Sequence, residues 1–110
     1  MIAVLTRPSL LAIAATLLPL AACDPGASHR NFLQVMGGNV GTNADRQYNY
    51  RVKRRDRLVD TRQLPNGNVE EQFTAGHGQR CRVFFEVDQK NQKVVAWRYE
   101  GAEKDCAINP

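Results

Sequence analysis

The 110-residue chain holds three cysteines and two histidines, and their spacing decides which chemistry is open to them. Cys81 and Cys106 lie 25 positions apart, neither belongs to a CxxC, and His29 and His77 are not at zinc-ligand spacing. In an exported chain such an even pair is expected to form a disulfide, worth about 3 kcal/mol for a loop of this length in the chain-entropy model. His77 stands between Gly76 and Gly78 with nothing nearby to orient an imidazole, which reads as a turn rather than a general base. Glu70 and Glu71 are adjacent and project to opposite faces of a strand, the wrong arrangement for a catalytic carboxylate pair. The serines, Ser9 and Ser28, both precede the region that reads as folded, so no hydrolase nucleophile is offered there. No phosphate loop, metal motif or cofactor fingerprint appears. The expectation is a protein that is not an enzyme, with no cofactor and no metal.

The third cysteine has a different setting. Arg7 and the α-amine precede an uncharged run, residues 10–20, which gives the basic and apolar regions of a secretory signal. That run is too short to span a bilayer, which takes about 20 apolar residues, and Pro19 and Asp24-Pro25-Gly26 break it. Leu20-Ala21-Ala22-Cys23 closely resembles the lipobox of bacterial lipoproteins. The resemblance implies acylation of the Cys23 thiol, cleavage before it, and a lipid anchor. The residue types suit that chemistry: Ala21 and Ala22 let a peptidase approach the backbone, and a thiolate is the nucleophile that takes the lipid. Two or three acyl chains then hold stably where one holds only marginally. The expected organisation is a signal peptide at 1–22, a lipidated tether at 23–30 and one small periplasm-facing domain at 31–110.

Once Arg7 is removed with the signal, Lys and Arg number 14 against 11 acidic residues, a net charge of +3. The charge is concentrated in residues 46–62, where seven basic residues meet two acidic ones with Tyr48 and Tyr50 interleaved. Such a run is either a solvated strand face or a surface for lipid headgroups, envelope polymer or an acidic protein. Arg51, Arg54, Arg55 and Arg57 with Tyr48, Tyr50, Trp97 and Tyr99 form the expected partner-binding set, because Arg and aromatic side chains are enriched at interfaces. An alternative places Trp97 and Tyr99 under the helix. No nucleic-acid partner is expected of an exported, tethered chain.

The elements that must position these groups follow from periodicity. Phe32, Leu33, Val35 and Met36 have helical spacing, Ser28 is a candidate N-cap, and Gly37-Gly38 stops the helix. Residues 39–45 read as a loop. Tyr48, Tyr50 and Val52 alternate with polar neighbours as in a strand. Residues 57–64 and 68–75 flank Asn66-Gly67, and a two-residue turn there would pair Leu64 with Val69 and Arg62 with Glu71. A second hairpin joins residues 80–87 to 93–100, with Cys81, Val83, Phe85 and Val87 on one face, Phe84 on the other, and Val95, Trp97 and Tyr99 sharing a face of the partner strand. Apolar character on both sides suggests a helix covering one and the tail or a partner covering the other. The fold class is therefore α+β, a short N-terminal helix on an antiparallel sheet of three to five strands with a disulfide staple.

The acylated cysteine, the glycine-ended helix, the Tyr-x-Tyr segment and the hairpin "VFFEVDQKNQKVVAWRYEG" together resemble the small SmpA/OmlA-type lipoproteins. That resemblance spans residues 32–101 and implies a helical segment packed on a three-stranded antiparallel sheet, and an accessory role in outer-membrane β-barrel assembly. The chain departs from the pattern in having no evident second helix before the sheet, an added Asn66-Gly67 hairpin and the cysteine pair. The expected role is a structural or assembly accessory that docks on an envelope complex. The alternative is a periplasmic ligand binder or enzyme inhibitor on a lipid anchor, comparable to lysozyme inhibitors; a basic domain fits a basic lysozyme poorly. Asp24 resembles an inner-membrane sorting residue, whereas the family resemblance points to the outer membrane, so both membranes stay open.

Overall fold

The strand pair richest in apolar residues organises the rest of the chain. The computed structural model describes residues 26–110; the signal segment and Cys23 lie outside the described residues. Strands β1 (Leu58–Gln63), β2 (Val69–Ala75), β3 (Cys81–Asp88) and β4 (Lys93–Glu100) form one antiparallel sheet in the order β1-β2-β3-β4. Helix α1 (Ala27–Gly37) and a single helical turn, α2 (Tyr50–Lys53), precede the sheet. The fold is α+β, as the periodicity predicts.

Period-two alternation puts Cys81, Val83, Phe85 and Val87 of β3 on the inner face, all buried. Phe32 and Met36, one helical turn apart on α1, close over them together with Phe73, Ala75 and Val94. Each buried Phe, Met and Val side chain contributes about 1.5–3 kcal/mol by leaving water. Phe32 meets Trp97 and Tyr99 edge-on at ring separations of 6.0 and 5.5 Å. At Gly37 a Cβ would come within 3.3 Å of the Trp97 indole nitrogen, so the glycine lets the helix end approach β4. The tail returns beside the β2–β3 connection, where the Asp105 carbonyl accepts the His77 N–H and Cys106 is bonded to Cys81, with Cα atoms 5.1 Å apart.

Four local expectations are corrected. Ser28 is not the N-cap: α1 begins at Ala27 behind Gly26 without a side-chain cap, and the Ser28 carbonyl instead accepts the Ile108 N–H at 3.0 Å. The second half of the expected tether is thus part of the folded domain. The segment around Tyr50 is helical, because Asn49 supplies an N-cap that accepts the Arg51 N–H and because Tyr50 and Arg51, consecutive residues, both turn inward. The first hairpin is shifted by one: Gln63 faces Val69 and Arg62 faces Glu70. Its loop is Pro65-Asn66-Gly67, closed by Leu64 N–H to Asn68 O, with Pro65 setting the turn and Gly67 at φ +88. Finally, a bulge between Glu86/Val87 and their partners leaves Val95 as an extra residue, so Val94 is buried and Val95 exposed.

The outer sheet face is not covered by the tail. Phe84 lies there beneath the Arg98 guanidinium, 3.6 Å from its ring centroid, and Arg98 is held by Glu70 and Glu100. Those carboxylates hold the Arg98 pKa above its ordinary value, the hydrogen bond that Arg98 donates to Glu70 acting most strongly.

Candidate functional site

Residues 39–57 carry most of the basic segment, and a polar clasp gives them one shape. Asn39 donates through Nδ2 to the Val35 and Met36 carbonyls at the end of α1 and accepts the Tyr50 N–H at 2.8 Å. Asn49 donates to Thr42 Oγ1, whose own hydroxyl donates to Asn39 O. Both asparagines are buried, so each satisfies backbone groups that water cannot reach. Residues 41–44 then lie along the start of β4, with Gly41 N–H on Val94 O and Val94 N–H on Thr42 O.

The clasp turns two of the expected docking residues inward. Tyr50 packs on Phe73 and Phe85 and donates its hydroxyl to Thr74 O at 2.9 Å. Burial pushes its pKa above 10.0, opposed by the nearby Arg57 and Arg54 guanidiniums. Arg51 enters the interior, donates to the Ala44 carbonyl, and pairs with Glu71, which also receives Arg55. Glu71 is only 4% exposed, so it serves as the internal counter-ion of this basic segment. Trp97 and Tyr99 are half-buried against α1, where the notion of a free aromatic face does not hold.

Tyr48, Arg54, Arg55 and Arg57 remain at the surface. Tyr48 is 80% exposed. It borders a shallow groove with Val35, Thr42 and Arg46, while Val52 and Arg55 border a second one with Asp45 and Gln92. Arg54 pairs with Asp56 at 3.1 Å, and Arg57 has no ion pair among the described residues. Arg54, Arg57 and His77 line a cleft with Met36 and Ile108.

The chain matches no family model, no curated protein and no solved structure.

Function must therefore be argued from the site alone. What residues 46–57 offer chemically is a cationic and aromatic surface on a rigid backbone, suited to recognition. Among the described residues no three His, Cys, Asp or Glu side chains are grouped to hold a metal ion, and no helix is long and apolar enough to cross a membrane. Sequence reasoning missed Glu71, Asn39 and Asn49. Asn49 followed by a helix-compatible Tyr-Arg-Val-Lys run was the available signal for the cap; Glu71 had none, because its partners lie 16 and 20 residues away.

Proposed function

We propose that this protein is a lipid-anchored, periplasm-facing accessory that docks on a cell-envelope complex, tethered by an acylated Cys23. The docking surface is the outward part of the basic segment, the exposed Tyr48, Lys53 and Arg55 with the half-buried Arg54 and Arg57. The observation that carries this reading is the exposure of Tyr48 on a backbone locked by Asn39 and Asn49. A tyrosine has only two χ angles to fix on binding, so it supplies contact area at low entropic cost. The order helix, helical turn, antiparallel sheet is compatible with the SmpA/OmlA resemblance, although α2 is one four-residue turn and not a second helix.

Two measurements test the proposal. Labelling cells with a radioactive fatty acid should mark the wild-type chain and not Cys23→Ser, and label on the Ser variant would overturn the anchor. Capture from detergent-solubilised envelope should recover a membrane protein and weaken several-fold in Arg54→Glu/Arg57→Glu/Tyr48→Ala, more so at low salt. Arg55 is left intact because it holds Glu71. Equal capture by a folded triple variant would overturn the docking surface, and recovery of a soluble enzyme would favour an inhibitor.

A further inference from the structure

The two edges of the sheet are finished differently. At β4, residues 41–44 pair with the strand start through Gly41, Thr42 and Ala44 backbone bonds and an Asn43–Lys93 bridge. At β1 no other segment among the described residues bonds to the outer side, and its residues from Val59 to Gln63 are exposed. Because Leu64 N–H bonds to the carbonyl of Asn68, the residue before β2, the alternation of the ladder turns the N–H and C=O of Thr61 and Gln63 outward. An open row of this kind is a template for another strand.

The residue order around Thr61 says which strand. Asp60 and Arg62 flank Thr61 with opposite charges, both exposed. If a second β1 pairs antiparallel about a two-fold axis at Thr61, the two Thr61 residues exchange N–H···O=C bonds. Asp60 then lies opposite Arg62 of the second copy, twice, and Val59, 50% exposed, lies opposite Gln63. Directly opposed side chains of opposite charge stabilise such a pair, and like charges oppose it. In the single chain Asp60 Oδ1 accepts the Thr61 N–H at 2.9 Å, shielding the edge. Arg62 of a second copy draws that carboxylate aside and frees the N–H for the inter-chain bond. Arg62 reaches Glu70 at 3.2 Å on β2, away from the open edge, so in the dimer its guanidinium turns outward or is shared between Glu70 and the second copy's Asp60.

We infer that β1 is a self-recognition edge through which two copies of this chain join their sheets into one, using reciprocal Asp60–Arg62 pairs. A C2 interface of this kind uses the same patch on both copies. The pairing does not depend on the lipid anchor, which only raises the local concentration.

Sedimentation velocity of the full chain in a neutral detergent tests this over a concentration series. The wild type should show a concentration-dependent dimer. Asp60→Arg alone and Arg62→Asp alone should each weaken self-association about tenfold or more, since each sets like charges opposite. An equimolar mixture of these two variants should restore a dimer, because every opposed pair is again Arg with Asp. Thr61→Pro removes an N–H that β2 does not use, so it should abolish the dimer while leaving the circular dichroism and melting temperature near those of the wild type; it keeps the test valid if Arg62→Asp disturbs its contact with Glu70. A monomeric wild type across the series, or a mixture no more associated than the single variants, would overturn the inference and leave Asp60 as an edge guard.

Discussion

Glu71 receives two guanidiniums, and the fates of Arg51 and Arg55 follow from that one carboxylate. In Arg51→Ala the Glu71 carboxylate keeps Arg55, but one of its oxygens and the Ala44 carbonyl lose their buried donor, so the unfolding free energy should fall by about 2–3 kcal/mol, read from urea denaturation. A loss below about 1 kcal/mol would mean the pair is solvated. Tyr50 makes a prediction in pH. Its folded pKa is raised above 10.0, so the stability linked to the neutral phenol is fully present below pH 10 and is lost as pH climbs through the raised value. Melting temperatures measured from pH 9 upward should fall more steeply for the wild type than for Tyr50→Phe. The Phe variant should also be about 1 kcal/mol less stable at neutral pH, having lost the bond to Thr74. Residue identity alone announced neither role. A cation among six others reads as surface until its carboxylate is found across the fold.

Elements were legible where the signal was local and failed where it was not. The β3–β4 hairpin, the glycine stop of α1 and the existence of a β1–β2 hairpin follow from alternation and turn residues within about ten positions. The one-residue register change at β1 came from Pro65, which makes a three-residue loop out of an Asn-Gly signal. Helix α2 reads as a strand from sequence because Tyr48, Tyr50 and Val52 alternate with period two, whereas in the fold Tyr48 and Val52 are exposed, Tyr50 turns inward and the buried Asn49 cap starts the helical turn. At Gly76, between β2 and β3, φ is +74 and a Cβ would stand 1.9 Å from the Asp105 carbonyl, which accepts the His77 N–H. Gly76→Ala should therefore cost about 3 kcal/mol or more, because left-handed strain and displacement of the tail add. A melting temperature unchanged by that variant would show that the tail does not need its close approach.

At the scale of the molecule, the tail is held by the Cys81–Cys106 bond and by contacts around the start of α1, where His29 Nδ1 lies 2.7 Å from Cys106 O and Asn31 donates to Ile108 O. Reduction of the disulfide should lower stability by about 3 kcal/mol, and comparing urea midpoints with and without a reductant measures it. An unchanged midpoint would show that the non-covalent contacts hold the tail unaided. The residue order was enough to pair the two cysteines, to assign the α+β class and to locate the strands of the final hairpin, because each rests on covalent bookkeeping or on a periodicity that local sterics impose. Only the tertiary structure decided which arginine is buried, which tyrosine is exposed, and which sheet edge is left open. Those outcomes depend on groups brought together from 16 to 28 residues apart, such as Arg55 with Glu71 and Arg98 with Glu70, and the free energy of burying or pairing a charge is settled by that assembled surrounding.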